Sequence, residues 1–242
     1  MQYMLIHVQP TDLDHEMGQT WQPDASLTAW LEETIPSGVN LQGSRLRPSS
    51  DATTLRSRQG ELIVTDGPFA ETKEQVAGYD VLECPDIDEA VRWASKHPTL
   101  LAGTIEVRPL LDSPPPMPLP EQKEGTLRYM MLVCLGEDFQ MGPQDQSEMG
   151  SATDAWVKEM HGTGARLFGS RIEGPDRART VRRKGTDLLV TDGPFAETKE
   201  QIAGFDVLEC ADLDEALEVA AKHPMAKFGM LELRPFWPPE EP

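Results

Sequence analysis

The chain has 242 residues, 38% hydrophobic and 26% charged, and its 22 Lys and Arg against 41 Asp and Glu leave a formal net charge of −19. Such an acidic chain excludes a nucleic-acid backbone or an anionic membrane surface as partner, because both require a basic face. No stretch approaches the ~20 apolar residues of a membrane-spanning helix, and the opening Met1–His7 has neither the basic start nor the apolar run of a secretory leader.

Tyr3–Val8 reads as a short apolar strand. Leu27, Trp30, Leu31 and Ile35 then fall at helical spacing, and Pro36-Ser37-Gly38 ends that helix. Thr54–Arg58 and Glu61–Thr65 flank a tight turn at Gln59-Gly60, the pattern of a hairpin. Tyr79–Cys84 is a further strand. Asp86-Ile87-Asp88-Glu89-Ala90 opens a second helix with acids in its first turn, where the helix dipole favours them, and Lys96-His97-Pro98 closes it. Ile105 and Val107 mark a last strand. The order β-α-β-β-β-α-β with antiparallel hairpins predicts an α+β sheet carrying its helices on one face.

The same module is then written again. Leu62 through Gln75 recurs as Leu188 through Gln201 with only Ile63 changed to Leu189, and the register holds without a gap from Tyr3/Tyr129 to Arg108-Pro109/Arg234-Pro235. The predicted organisation is a repeat over 1–111, a Pro-rich linker over 112–126, a second repeat over 127–237 and a tail over 238–242. The linker's prolines favour polyproline II, which reaches roughly 35–40 Å as a strut or serves as a passive spacer. A one-sided sheet leaves its other face uncovered, so the two repeats are expected to pair within the chain, and a monomer is then sufficient. From Leu62 to Cys84 the copies differ at only three positions, whereas before Leu62 identity is about a quarter. That block therefore draws attention as either functional or architectural.

Asp-Gly-Pro-Phe-Ala-Glu-Thr-Lys-Glu-Gln, followed by Gly-Tyr/Phe-Asp-Val, Asp-x-Asp-Glu-Ala and a terminal Glu-x-Arg-Pro, resembles the YCII-related family in its DGPF-domain branch. The resemblance covers nearly all of both copies. It implies ferredoxin-like repeats that pair as an intrachain pseudo-dimeric α/β barrel. Related proteins include a dehydrochlorinase acting on a chlorinated, hydroxylated aromatic, with a His/Asp pair invoked for the chemistry. Here the positions matching that family histidine are Leu27 and Thr153, and the family Asp-Pro is His97-Pro98 and His223-Pro224.

Two readings of the residues follow. In one, the protein is a small-molecule-binding or regulatory module with its site at the inter-repeat cleft, where Asp66-Gly67-Pro68-Phe69 and its twin act mainly as architecture. In the other, it is a cofactor-independent lyase or isomerase working by acid–base catalysis on a small, aromatic or other, substrate. Its proton carriers are then Asp66, Asp192, His97 and His223, and Phe69, Phe195, Glu71, Glu197, Arg45 and Arg171 line the substrate. Histidines at 97 and 223 also suit helix C-termini without any chemistry. No clustered Cys/His spacing exists, so neither a metal nor a cofactor is expected, and the scattered Cys84, Cys134 and Cys210 point to free thiols in a cytoplasmic protein.

Overall fold

A computed structural model describes residues 1–13, 25–112, 118–196 and 198–238. Most of the Pro-rich run, 113–117, lies outside the described residues, as does Glu197. The first repeat runs β1 (Gln2–Pro10), α1 (Ala25–Thr34), β2 (Asn40–Arg45), β3 (Thr53–Arg58), β4 (Glu61–Asp66), β5 (Glu74–Glu83), α2 (Ile87–Lys96) and β6 (Thr104–Pro109). The second runs β7 (Leu127–Gly136), α3 (Pro143–Thr163), β8 (Arg166–Arg171), β9 (Arg179–Lys184), β10 (Asp187–Asp192), β11 (Glu200–Cys210), α4 (Leu213–Ala221) and β12 (Met230–Pro235).

The local chemistry explains the element ends. Asp86 and Asp212 cap α2 and α4 by accepting the N–H groups of Glu89 and Glu215 at 2.8 and 2.9 Å. Gly38 and Gly164, at φ +73° and +79°, take the left-handed conformation that ends α1 and α3. Ile35, expected on the buried stripe of α1, falls one residue past the helix and is exposed. Each repeat also has one strand more than expected. The additional strands, β2 and β8, were hidden by Gly-Ser pairs that break the apolar alternation.

The chain divides into two compact units that do not follow the duplication boundaries. Unit 1 comprises Met1–Ser49, Thr72–Pro118 and Ser170–Glu197, and unit 2 comprises Ser50–Glu71, Leu119–Gly169 and Thr198–Pro242. The unit 1 sheet has the order β10-β9-β6-β1-β5-β2, and the unit 2 sheet β4-β3-β12-β7-β11-β8. Each sheet therefore takes its outer hairpin from the other repeat, β6 pairing antiparallel with β9 and β12 with β3. Both sheets are open, so neither closes into the barrel that the sequence led us to expect; the architecture is α+β with two similar ferredoxin-like units.

Helices cover one face of each sheet. In unit 1, Tyr3, Leu5, Leu82, Cys84, Ile105 and Val107 meet Trp30, Ala90 and Ala94 in one apolar cluster. In unit 2, Tyr129, Met131, Leu208, Cys210, Leu231 and Leu233 meet Trp156, Ala216 and Ala220. All three cysteines are buried and free. Among the described residues, no helix is long and apolar enough to cross a membrane.

Candidate functional site

The conserved block first shows its place in the fold. After β4 and β10 the chain turns at Gly67 and Gly193, at φ +99° and +95°, values that glycine alone adopts readily. Thr54 and Thr180 donate their hydroxyls to the carbonyls of these glycines at 2.7 Å. The next residue pair is anchored to the other repeat. In unit 2 the Phe69 N–H donates to Glu232 at 2.7 Å while Arg56 donates to the Phe69 carbonyl at 2.9 Å. In unit 1 the Phe195 N–H donates to Glu106 at 2.8 Å and Arg182 to the Phe195 carbonyl at 2.6 Å. Glu106 and Glu232 each hold a buried arginine with their second oxygen, Arg108 at 2.7 Å and Arg234 at 2.9 Å. The Asp-Gly-Pro-Phe and Glu-x-Arg-Pro motifs are thus two halves of one latch that seats the exchanged hairpin.

Of the residues expected at a site, Asp66, Glu71 and Asp192 are exposed, and Asp192 pairs with Arg179 at 3.1 Å. Phe69 is buried and Phe195 half-buried. Arg45 ends β2, half-buried, and Arg171 ends β8, where it pairs with Asp112 at 2.7 Å. His97 and His223 are buried. Each follows its helix and caps the next short turn, its Nδ1 accepting a backbone N–H, from Thr99 and Met225 respectively, at 3.1 Å. Each also meets the edge of a tryptophan, Trp30 at 4.6 Å and Trp156 at 4.5 Å between ring centroids. Burial, and then the neighbouring His7, push the His97 ring down to about 2. Burial, and then Arg166, push His223 down to about 4.

Around His97, unit 1 assembles a polar cluster from three strands. Alternation along β1 points Tyr3 and Leu5 toward the helices, and His7 continues that face; on β5, Leu82 and Cys84 do the same, and Asp80 continues it. His7 lies opposite Gly78, whose missing side chain leaves room for the ring. Asp80 lies opposite Gly43 on β2, and a Cβ there would stand 2.0 Å from its Oδ1, so only glycine admits the carboxylate. Asn40 donates to Asp80 Oδ1 at 3.0 Å. His7 Nε2 lies 2.9 Å and His97 Nε2 3.5 Å from Oδ2. The rings of His7 and His97 are 4.4 Å apart, and the Thr99 hydroxyl is 3.5 Å from His7 Nδ1. One nitrogen from each histidine and one Asp80 oxygen lie within 4.8 Å of one another, a span that one ion or one small polar group can bridge.

In unit 2 the corresponding place is built differently. Trp156, Asp206 and His223 keep their positions, but His7 becomes Val133, Asn40 becomes Arg166 and Thr99 becomes Met225. Arg166 Nε lies 2.5 Å from Asp206 Oδ1. Burial raises the Asp206 carboxyl above its ordinary value, and the Arg166 guanidinium opposes that shift.

His7, Asn40, Asp80 and Thr99 were not singled out by the sequence reading. Matching positions between repeats rewarded sameness, and these residues, Asp80 excepted, are where the copies differ. The available signal was register: a histidine on the Tyr3, Leu5 face and an aspartate inside an apolar strand.

The YCII-related domain matches residues 1–113 and again residues 127–239. The chain is 46% identical over 88 residues to an uncharacterised protein of Rhizobium meliloti (strain 1021), a match covering 35% of this chain and 69% of that protein. Among solved structures, a putative chlorite dismutase aligns over 98% of this chain and 94% of its own, with a TM-score of 0.43 and 7% identity.

Proposed function

The chain belongs to the YCII-related family twice over, and from that premise we propose that it is a small-molecule-binding protein with one working site, the His7–Asp80–His97 cluster of unit 1. The observation that carries this reading is the contrast between the copies. Unit 1 keeps a buried carboxylate beside two imidazoles, whereas unit 2 neutralises the same carboxylate with its own Arg166. A fixed internal guanidinium stabilises a fold; imidazoles that can exchange protons or bind a ligand suit recognition and chemistry. His97 is the sequence-expected residue that belongs to this site. Asp66, Asp192, Phe69 and Phe195 serve in this reading as the hairpin latch, which supports placement in the DGPF branch as a matter of architecture.

Cofactor-independent acid–base chemistry, of the lyase or isomerase kind, is the second reading. It is favoured by His7, whose Nδ1 faces a hydroxyl while its Nε2 faces Asp80. The test is a screen of small polar and aromatic compounds by thermal shift and ligand-observed NMR, on the wild type and on His7→Val, which copies unit 2. Compounds that bind the wild type should lose binding in His7→Val while that variant keeps a cooperative melt. Binders unaffected by His7→Val would remove the site from unit 1.

A further inference from the structure

Resting on that reading of the cluster, we infer that unit 1 binds one divalent first-row transition-metal ion through His7 Nε2, His97 Nε2 and the Asp80 carboxylate, and that unit 2 is its metal-independent counterpart. The donor set comes first. Two imidazoles and one carboxylate suit zinc, iron(II), cobalt or nickel rather than calcium or magnesium, which prefer all-oxygen shells.

The geometry is the second argument. Donors at ~2.0–2.2 Å from one ion stand roughly 3.0–3.5 Å from each other when they subtend the angles of a tetrahedron or octahedron. His7 Nε2 and His97 Nε2 stand 2.9 and 3.5 Å from the same oxygen of Asp80. Close as it is, His7 Nε2 makes no aligned hydrogen bond among the described residues. A nitrogen that approaches a carboxylate oxygen without pointing at it has the relation of two ligands to a shared ion.

Charge is the third. A carboxylate removed from water needs a compensating cation, and unit 2 supplies one in Arg166. Unit 1 has the neutral Asn40 in that place. The Oδ1 of Asn40, a residue 5% exposed, has no hydrogen-bond partner among the described residues. It is an acceptor available to a water on the ion or to the ion itself. Three protein ligands leave an open position, which is what a site that acts on a bound water or a chelating small molecule requires.

His97 has one adjustment to make. Coordination through Nε2 moves its ring proton to Nδ1, so the bond accepted from the Thr99 N–H is given up. A lost capping bond weakens binding by roughly tenfold at most, a modest handicap for a three-ligand transition-metal site.

The experiment is titration of chelator-treated, tag-free protein with Zn²⁺ by calorimetry and with Co²⁺ by visible absorption. One equivalent per chain is expected, with Co²⁺ bands typical of mixed nitrogen and oxygen ligation. His7→Val should weaken Zn²⁺ binding by roughly a hundredfold or more while melting cooperatively. The double variant Val133→His with Arg166→Asn, which retains Asp206 and His223, should raise the stoichiometry from one to two. Binding that persists undiminished in His7→Val, or an absence of Zn²⁺ and Co²⁺ binding in the wild type, overturns the inference. If compounds from the screen still bind in a His7-dependent way to protein that takes up no metal, the metal inference fails and the ligand-binding reading stands. If the screen and the titrations both fail, the reading of the cluster as a site fails with them.

Discussion

Units 1 and 2 solve the same problem at one place with different chemistry. Both bring an aspartate from the middle of a buried strand under the helices, both leave a glycine opposite it so that the carboxylate fits, and both set a tryptophan edge against a histidine. Unit 2 then balances the carboxylate with an arginine from the neighbouring strand, while unit 1 surrounds it with His7, His97 and Asn40. The hairpin latch, by contrast, is the same in both. Duplication has kept the parts that hold the fold together and varied the part that decides what the buried charge can do.

The largest expected effect tests the shared architecture. A fragment holding residues 1–112 has a sheet lacking β9–β10 and a β3–β4 hairpin without β12. It should form no folded monomer, and light scattering should find either a hairpin-exchanged dimer or an unfolded chain. A well-folded monomeric fragment would show that each hairpin can serve its own repeat.

Next come the latches. Glu232→Ala and Glu106→Ala each strand a buried arginine and an N–H, and each should cost about 3–5 kcal/mol in urea denaturation. The two losses should be alike; a large difference would mean that the exchanged hairpins are not equally seated.

The carboxylate partners should differ where the latches do not. Arg166→Ala leaves Asp206 buried without a cation and should destabilise by about 3 kcal/mol, whereas Asn40→Ala removes one bond to Asp80 and should cost about 1 kcal/mol. Comparable losses would erase the distinction drawn between the units.

Acid sharpens it further. His223 titrates near its ordinary 6.5 when unfolded but at about 4 when folded, so between these values the unfolded chain binds more protons. The stability it contributes is present above pH 6.5 and is lost as the pH falls to about 4, up to ~3 kcal/mol. His223→Gln should flatten the decline in Tm across that window, while His97→Gln should flatten a decline that continues toward pH 2. The smallest effect belongs to Asp66→Asn and Asp192→Asn together. Both residues are exposed, and the change in stability should stay within about 0.5 kcal/mol per site.

Local chemistry made much of this legible. The caps at Asp86 and Asp212, the turn glycines and the gap-free repeat could be read directly, because each depends on residues near one another in sequence. The exchange of hairpins could not. Leu188–Asp192 and Leu62–Asp66 are nearly identical, so either hairpin fits the edge of either sheet by pattern alone. The strand β2 was lost because Gly43, which its contact with Asp80 demands, looks like a break in a strand. The cluster was lost for a related reason: His7 and Asp80 are far apart in sequence, and only the pairing of β1 with β5 brings them together.

The exchanged hairpins also fix the order in which the protein can be completed on the ribosome. Thr53 and Thr54 find their places beside Leu233 and Glu232, strand residues that emerge only at the end of synthesis. Until then the early hairpin has no lasting sheet, and Leu62, Ile63 and Val64, which stay exposed in the finished molecule, are open to neighbouring nascent chains. The flanking Glu61 and Asp66 place negative charge at both ends of that apolar run, so two such hairpins on adjacent ribosomes repel one another when they would otherwise pair. In this light the acids bordering the strand guard the waiting interval, and their worth shows in the yield of soluble protein rather than in the stability of the finished fold.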